Sequence, residues 1–262
     1  MRLLRTRTPA LTLSLVCFAA LAVPGAAAAA GANAEQGAFG PALEVADVPT
    51  AQTLYARMFN LNTRLFRGGG IVMKAVASFN NSLQIGVGFK ANNVVGSGNI
   101  TFDDGQEQVV AALVKIRVLS IPALGLQAAA GYDGMGYDVT RKHGLHGVVS
   151  KDINAGFLVF RLHAGAGTVQ FRNAKADRDV NAFCGLSGSL SEDIHLGLEW
   201  DDALYRHHLE NPQAGRLDVH NGSVNAMIGY SWDVGLRMEL DFKNLLRGKD
   251  AYHRVLKILY TF

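Results

Sequence analysis

Tyr252-His253-Arg254-Val255-Leu256-Lys257-Ile258-Leu259-Tyr260-Thr261-Phe262, the last eleven residues of the chain, is the stretch that decides the fold. Leu256, Ile258, Tyr260 and Phe262 share one parity, while Lys257 and Thr261 sit on the other. An extended chain points alternate side chains to opposite faces. The spacing therefore predicts a strand with an apolar, aromatic face ending on Phe262 and a partly polar face behind it.

The same alternation recurs upstream. Phe59, Leu61, Thr63 and Leu65 oppose Met58, Asn60, Asn62 and Arg64, and Leu83, Ile85, Val87 and Phe89 oppose Gln84, Gly86, Gly88 and Lys90. Comparable runs cover 71–79, 114–118, 124–130, 158–164, 180–187, 194–200, 224–230 and 236–243, with a weaker one at 145–150. With the terminal strand the total is about twelve. Short turns are expected at Asn80-Asn81, Ser120-Ile121, Lys151–Asn154, Leu190–Asp193 and Trp232–Val234. The connections around 91–108, 132–144, 166–178, 202–220 and 244–251 are longer and richer in charge and glycine. Short and long connections alternate, as they do when a membrane barrel keeps tight turns on one side and loops on the other. An even strand number also brings both ends of the barrel to the same side. A soluble β-sandwich or lipocalin-like barrel alternates too, but its polar face meets water, whereas here that face is rich in Gly, Ser and Asn and suits a crowded lumen. The fold class expected is all-β: an antiparallel, transmembrane up-and-down β-barrel spanning residues 54–262.

The N-terminus fits an exported protein. Arg2, Arg5 and Arg7 precede a short apolar run from Leu11 to Val23, then Pro24-Gly25 and small residues offering cleavage after Ala30 or Ala34. This is the layout of a signal peptide over residues 1–34. The apolar run is shorter than the roughly 18–20 residues a membrane helix needs. Residues 35–53 read as a periplasmic lead-in or a plug segment in the barrel mouth. The whole chain has 25 basic and 22 acidic residues, and loss of the three leader arginines leaves 22 of each. A neutral mature chain gives no electrostatic reason to bind nucleic acid. Cys17 lies in the leader, so Cys184 alone remains and no intramolecular disulfide is expected. Cys184 falls on the outward parity and reads as a small hydrophobe.

The polar parity collects Arg64, Lys74, Lys90, Lys115, Arg117, Arg161, Arg237, Lys243 and Lys257 against Glu199, Glu239 and Asp241. In a membrane barrel these must line the lumen, since a basic residue on the lipid face costs about 2–4 kcal/mol at midplane. They form either a pore or groove for an anionic, sugar-like solute or a self-satisfying ladder of ion pairs. The intermediate width of a twelve-stranded lumen is compatible with both; the ladder is the preferred reading, and the basic excess keeps the channel as the other. A hydrolase would need a nucleophile and a base, but His146, His163, His195, His207 and His208 sit in no recognised serine context. A hydrolase of lipid or lipopolysaccharide and a loop-display, adhesin-like scaffold remain as alternatives. Gly68-Gly69-Gly70 lacks the Lys-Ser/Thr of a phosphate loop and reads as a tight hairpin. Asp103-Asp104-Gly105 reads as a turn whose carboxylates could bridge divalent ions to lipopolysaccharide, and His207-His208 as a solvated loop pair. No metal, no cofactor and no catalytic residue is expected.

The terminal strand resembles the closing strand of bacterial outer-membrane barrels, whose assembly machinery reads a C-terminal aromatic, here Tyr260 and Phe262. Asp47-Val48-Pro49-Thr50-Ala51, Gly68-Gly69-Gly70, Asn93–Gly98, Gly131–Tyr137 and the stretch from Gly144-Leu145 to Ser150-Lys151 together resemble a largely uncharacterised family of bacterial outer-membrane β-barrels. That family is similar to the barrel portions of proteins associated with exopolysaccharide secretion. The resemblance implies a fold and a compartment, with outer-membrane lipids, lipopolysaccharide, the barrel assembly machinery and polysaccharide as expected partners.

Overall fold

The computed structural model describes residues 43–66, 69–96, 99–101, 110–135, 141–142, 144–155, 158–171, 179–201, 223–246 and 253–262. The leader, residues 35–42, Gly68, Asp103-Asp104-Gly105 and His207-His208 lie outside them.

Twelve antiparallel strands close into a barrel: β1 Phe59–Phe66, β2 Gly70–Ser78, β3 Leu83–Ala91, β4 Val110–Ile121, β5 Leu126–Asp133, β7 Gly144–Ala155, β8 Leu158–Phe171, β9 Asp179–Ser189, β10 Ile194–Asp201, β11 Ser223–Ser231, β12 Leu236–Lys243 and β13 His253–Thr261. A two-residue strand, β6 Arg141–Lys142, extends the edge of β8. Every barrel strand pairs with its neighbour in the chain. The ring is sealed where β13 pairs with β1, with Leu61 opposite Tyr260 and Arg64 opposite Lys257. Phe59 and Phe262 exchange backbone hydrogen bonds of 2.8 and 3.0 Å at the seam. Closure leaves none of the twelve barrel strands at a sheet edge, which is what allows a sheet to sit in lipid.

The two parities separate inside from outside. Ile85, Val87, Ile116, Leu145, Leu198 and Ile228 are exposed on the outer face, while Lys74, Lys115, Glu199, Asp241 and Lys257 are buried. A soluble protein would reverse that arrangement. The exterior is therefore a lipid-facing belt, and the protein is a transmembrane barrel of the outer-membrane type. Phe59, Phe79, Tyr230, Trp232, Tyr260 and Phe262 gather at the end of the barrel that carries the short turns. There Phe59 stacks on Phe262 at 5.7 Å, Tyr260 on Phe262 at 5.4 Å, and Tyr230 meets Trp232 edge-on at 4.8 Å. Such a girdle marks the level of a membrane interface. Cys184 stands on the outward parity and packs with Ala164 and Trp200.

Three boundaries differ from the sequence reading. Lys151–Asn154 is strand, not turn: β7 runs to Ala155, and Asn154 pairs with Val159. The polar residues there imitate a turn, but Asp152 faces Arg161 across the ladder and forms an ion pair with it. The weak pattern at 145–150 is thus part of a twelve-residue strand. Strand β8 likewise continues to Phe171, into what reads as a loop. The turn placed at Ser120-Ile121 is made instead by a 3-10 turn, Pro122–Leu124, because Pro122 cannot donate to a ladder.

Candidate lumen site

Residues 43–54 lie inside the barrel. Glu44 and Pro49 form an isolated antiparallel bridge, Val45 N–H donates to Val48 O at 2.9 Å, and Thr50 N–H donates to Leu43 O at 3.1 Å. Pro49 fixes its own φ and holds Val48 extended, which closes this small loop. The loop aims three successive N–H groups the same way. Ala46, Asp47 and Val48 donate to Glu199 Oε2 of β10 at 2.9, 2.8 and 2.9 Å. Consecutive backbone donors converging on one oxygen make an anion-binding concavity.

Irregular backbone inside a barrel has no ladder to join, so wall side chains must satisfy it. Lys115 of β4 donates to the carbonyls of Leu43, Thr50 and Gln52 at 3.2, 3.1 and 3.0 Å. Lys257 of β13 donates to the Ala46 carbonyl. Ala51 N–H donates to Ser150 Oγ at 2.8 Å and Leu54 N–H to Gln84 Oε1 at 3.1 Å. The segment leaves the lumen at the turn end, where Arg57 N–H bonds Ser78 O. Its apolar side chains fit the wall. Val48 and Ala51 pack on Ala129, Val148 and Phe183, and Leu54 packs on Val72, Leu113 and Met135. Val45 lies over Gly185 and Gly197; a Cβ added at Gly197 would come within 2.8 Å of Val45 Cγ1. These inward glycines make the room that the segment fills.

Its two carboxylates meet the wall's cations. Glu44 pairs with Arg64 and, at 2.9 Å, with Lys74; Asp47 pairs with Lys243 and, at 2.9 Å, with Arg64. Burial alone would raise the Glu44 carboxyl, but the Arg64, Lys74 and Lys257 charges outweigh it and hold the group well below the usual carboxylate range. For Asp47 burial again opposes ionisation, and Lys243, Arg64 and Lys257 hold the carboxyl down. Wall acids share the cations: Lys74 meets Asp133 at 2.7 Å, and Lys257 meets Asp241 at 3.1 Å and Glu239 at 3.4 Å.

Of the residues singled out in the sequence, Arg64, Lys74, Lys115, Glu199, Glu239, Asp241 and Lys257 converge around this segment. Lys90 is buried in the wall of β3, and Arg161 pairs with Asp152 near the turn end. Arg237 pairs with Glu239 at 2.6 Å. Arg117 sits apart, half-buried at the turn end, and donates to the Asn81 carbonyl. Sequence reasoning missed Glu44 and Asp47, whose segment lacks alternation, and Asp133, which closes β5 just before a loop. The basic excess read from the strands is met in part by these three carboxylates.

Two of the histidines weighed for hydrolysis, His163 and His195, stand between serines, while His146 lines the cavity beside the inserted segment. His163 Nδ1 lies 2.8 Å from Ser150 Oγ and Nε2 lies 2.9 Å from Ser187 Oγ; His195 lies 2.9 Å from Ser189 Oγ and 2.8 Å from Ser231 Oγ. His163 is fully enclosed, and Ser150 already accepts the Ala51 N–H. These are cross-strand polar ladders spanning the inner wall. Beside the segment, Asn60, Asn62, Lys74, Gln84, Asp133 and His146 line a cavity of about 60 Å³. Leu43, Pro49, Val76, Leu113, Val114 and Tyr132 also contribute to a lining that is mostly apolar, and a space of that size has room for a few waters.

No family model matches the chain, and no curated protein matches it by sequence. Among solved structures it is similar to the KdgM porin at 10% identity, covering 78% of this chain and 99% of that one, with a TM-score of 0.48. The KdgM porin in complex with disordered oligogalacturonate gives 10% identity, the same 78% and 99%, and a TM-score of 0.47. An outer membrane protein of Acinetobacter baumannii follows at 8% identity, 79% and 98% coverage, and a TM-score of 0.46. Identities of 8–10% leave these as likenesses of shape alone.

Proposed function

We propose that this is a non-enzymatic transport barrel of the bacterial outer membrane whose lumen serves an anionic, saccharide-like solute. One observation carries the reading. Among the described residues, both ion pairs of the buried Arg64 go to Glu44 and Asp47, which belong to an inserted segment and not to the wall. A wall built only to fill itself would neutralise such a charge with its own strands, because a buried unpaired charge is costly. Lys74 and Lys243 likewise each reserve one partner on that segment. Arg64, Lys74, Lys115, Lys243 and Lys257 thus form a cationic track, with Glu199, Glu239 and Asp241 setting its limits. Tyr260 and Phe262, at the end of the closing strand, serve as the signal for the assembly machinery. Lipopolysaccharide surrounds the loop end, and polysaccharide is the cargo class that the track suits.

The test is solute flux into proteoliposomes, comparing oligogalacturonate with a neutral maltooligosaccharide of equal length. Faster entry of the uronide supports the reading. Equal entry of both, or preference for the neutral sugar, refutes it.

A further inference from the structure

We propose that residues 43–54 are a tethered gate that mimics the solute: Glu44 and Asp47 occupy the wall cations that an oligo-anion would engage, and the solute's carboxylates displace them. The inference rests on the transport reading above and specifies how the lumen opens.

Four features point to it. First, the segment joins no strand. Among the described residues its backbone-to-backbone hydrogen bonds are internal, Val45 to Val48 and Thr50 to Leu43, so withdrawal breaks side-chain contacts and leaves the ladder whole. Second, its two carboxylates stand three positions apart and each bridges two wall cations, Glu44 on Arg64 and Lys74, Asp47 on Arg64 and Lys243. A solute with repeated carboxylates presents the same groups. Exchange replaces one carboxylate by another and strands no buried cation, whereas a neutral sugar would leave Arg64 unpaired. Third, part of the wall network is independent of the segment: Glu199 keeps the 2.7 Å bond from Asn225, and Lys257 keeps Asp241 and Glu239, so Arg64 is the cation that an incoming carboxylate must pair. Fourth, a cavity of about 60 Å³ adjoins Lys74 and Glu44, so this ion pair borders open space and not close-packed wall.

A disulfide that fixes the segment tests this directly. A Cβ at Gly197 falls 2.8 Å from Val45 Cγ1, close enough for the Cβ–Cβ separation of about 3.5–4.5 Å that a disulfide needs. The mature chain carrying Val45→Cys and Gly197→Cys, with Cys184→Ala, is reconstituted in liposomes. Entry of trigalacturonate and maltotriose is followed before and after oxidation. We expect the reduced protein to pass trigalacturonate at least tenfold faster than maltotriose, oxidation to suppress that flux at least tenfold, and dithiothreitol to restore it. A second full-length variant, Glu44→Gln with Asp47→Asn, should raise maltotriose entry at least tenfold, because nothing anionic need be displaced. Undiminished uronide flux through the oxidised protein overturns the gate while leaving the transport reading standing. Unchanged selectivity in the Glu44→Gln, Asp47→Asn variant overturns the mimicry. If no form passes trigalacturonate, including one with residues 43–54 deleted, both fall together.

Discussion

Replacing Glu199 by Gln removes one negative charge from the lumen and almost no volume. Glu199 Oε2 accepts three backbone N–H groups, from Ala46, Asp47 and Val48, and Oε1 accepts Asn225 Nδ2 at 2.7 Å. Asn225 cannot turn over to help, because its Oδ1 already accepts from Asn244 N–H at 2.9 Å and Ser223 Oγ at 3.0 Å. A Gln amide must therefore place its oxygen on the three amides and oppose its NH2 to that of Asn225, or do the reverse. Bonds to a charged acceptor contribute about 1.5–3 kcal/mol and neutral ones about 0.5–1.5. Three bonds each weakened by about 1 kcal/mol cost about 3 kcal/mol, roughly two decades in the local opening equilibrium. Hydrogen exchange of the amides of Ala46, Asp47 and Val48 reads that equilibrium. They should exchange on the order of 100-fold faster in Glu199→Gln, with strand amides of β1 and β13 unchanged. Unaltered protection at residues 46–48 would refute the docking geometry.

Gly197→Ala places a methyl 2.8 Å from Val45 Cγ1 and should loosen residues 43–54 by about 1–3 kcal/mol, whereas Gly147→Ala meets nothing within 4 Å and should leave their exchange unchanged. Equal behaviour of the two variants would count against the glycine floor. Phe262→Ala removes ring contacts at 5.7 and 5.4 Å, each contributing about 0.5–1.5 kcal/mol, and should lower the temperature at which the folded gel band is lost; an unshifted transition would contradict the seam. The Glu44 and Asp47 carboxyls are held below their usual values, so their contribution to docking is complete above about pH 4.5 and is lost only as pH falls through the lower docked values. Open probability in bilayers should stay flat from about pH 8 to 5 and rise only in more acid solution; a rise near pH 6 would assign the switch to other groups.

The barrel was legible because lipid outside and a polar lumen inside impose period two on every strand, down to Lys257 and Tyr260 on opposite faces of β13. At Lys151–Asn154, where Lys151 takes the outer parity and Ile153 is the one apolar residue, the period is lost and local turn chemistry misleads; only the pairing with β8 shows a strand. The wall half of the lumen site was legible for the same reason, since a charge on a membrane strand must point inward. The other half was not. Residues 43–54 have no period, because their conformation is set by Lys115, Lys257 and Glu199 on distant strands. Pro49 marks a bend there, but no local signal says where the bend docks. Likewise Gly185 and Gly197 read as weak strand residues until Val45 is seen above them.

The most direct test of a cationic track covered by an inserted segment is the reversal potential in planar bilayers across a KCl gradient. It compares the chain lacking residues 43–54 with the same chain carrying Arg64→Met, Lys74→Met and Lys257→Met. The first should be anion-selective, and the three replacements should abolish or invert that selectivity. A channel that is cation-selective or unselective with all its wall cations present, or one whose selectivity ignores their removal, would contradict it.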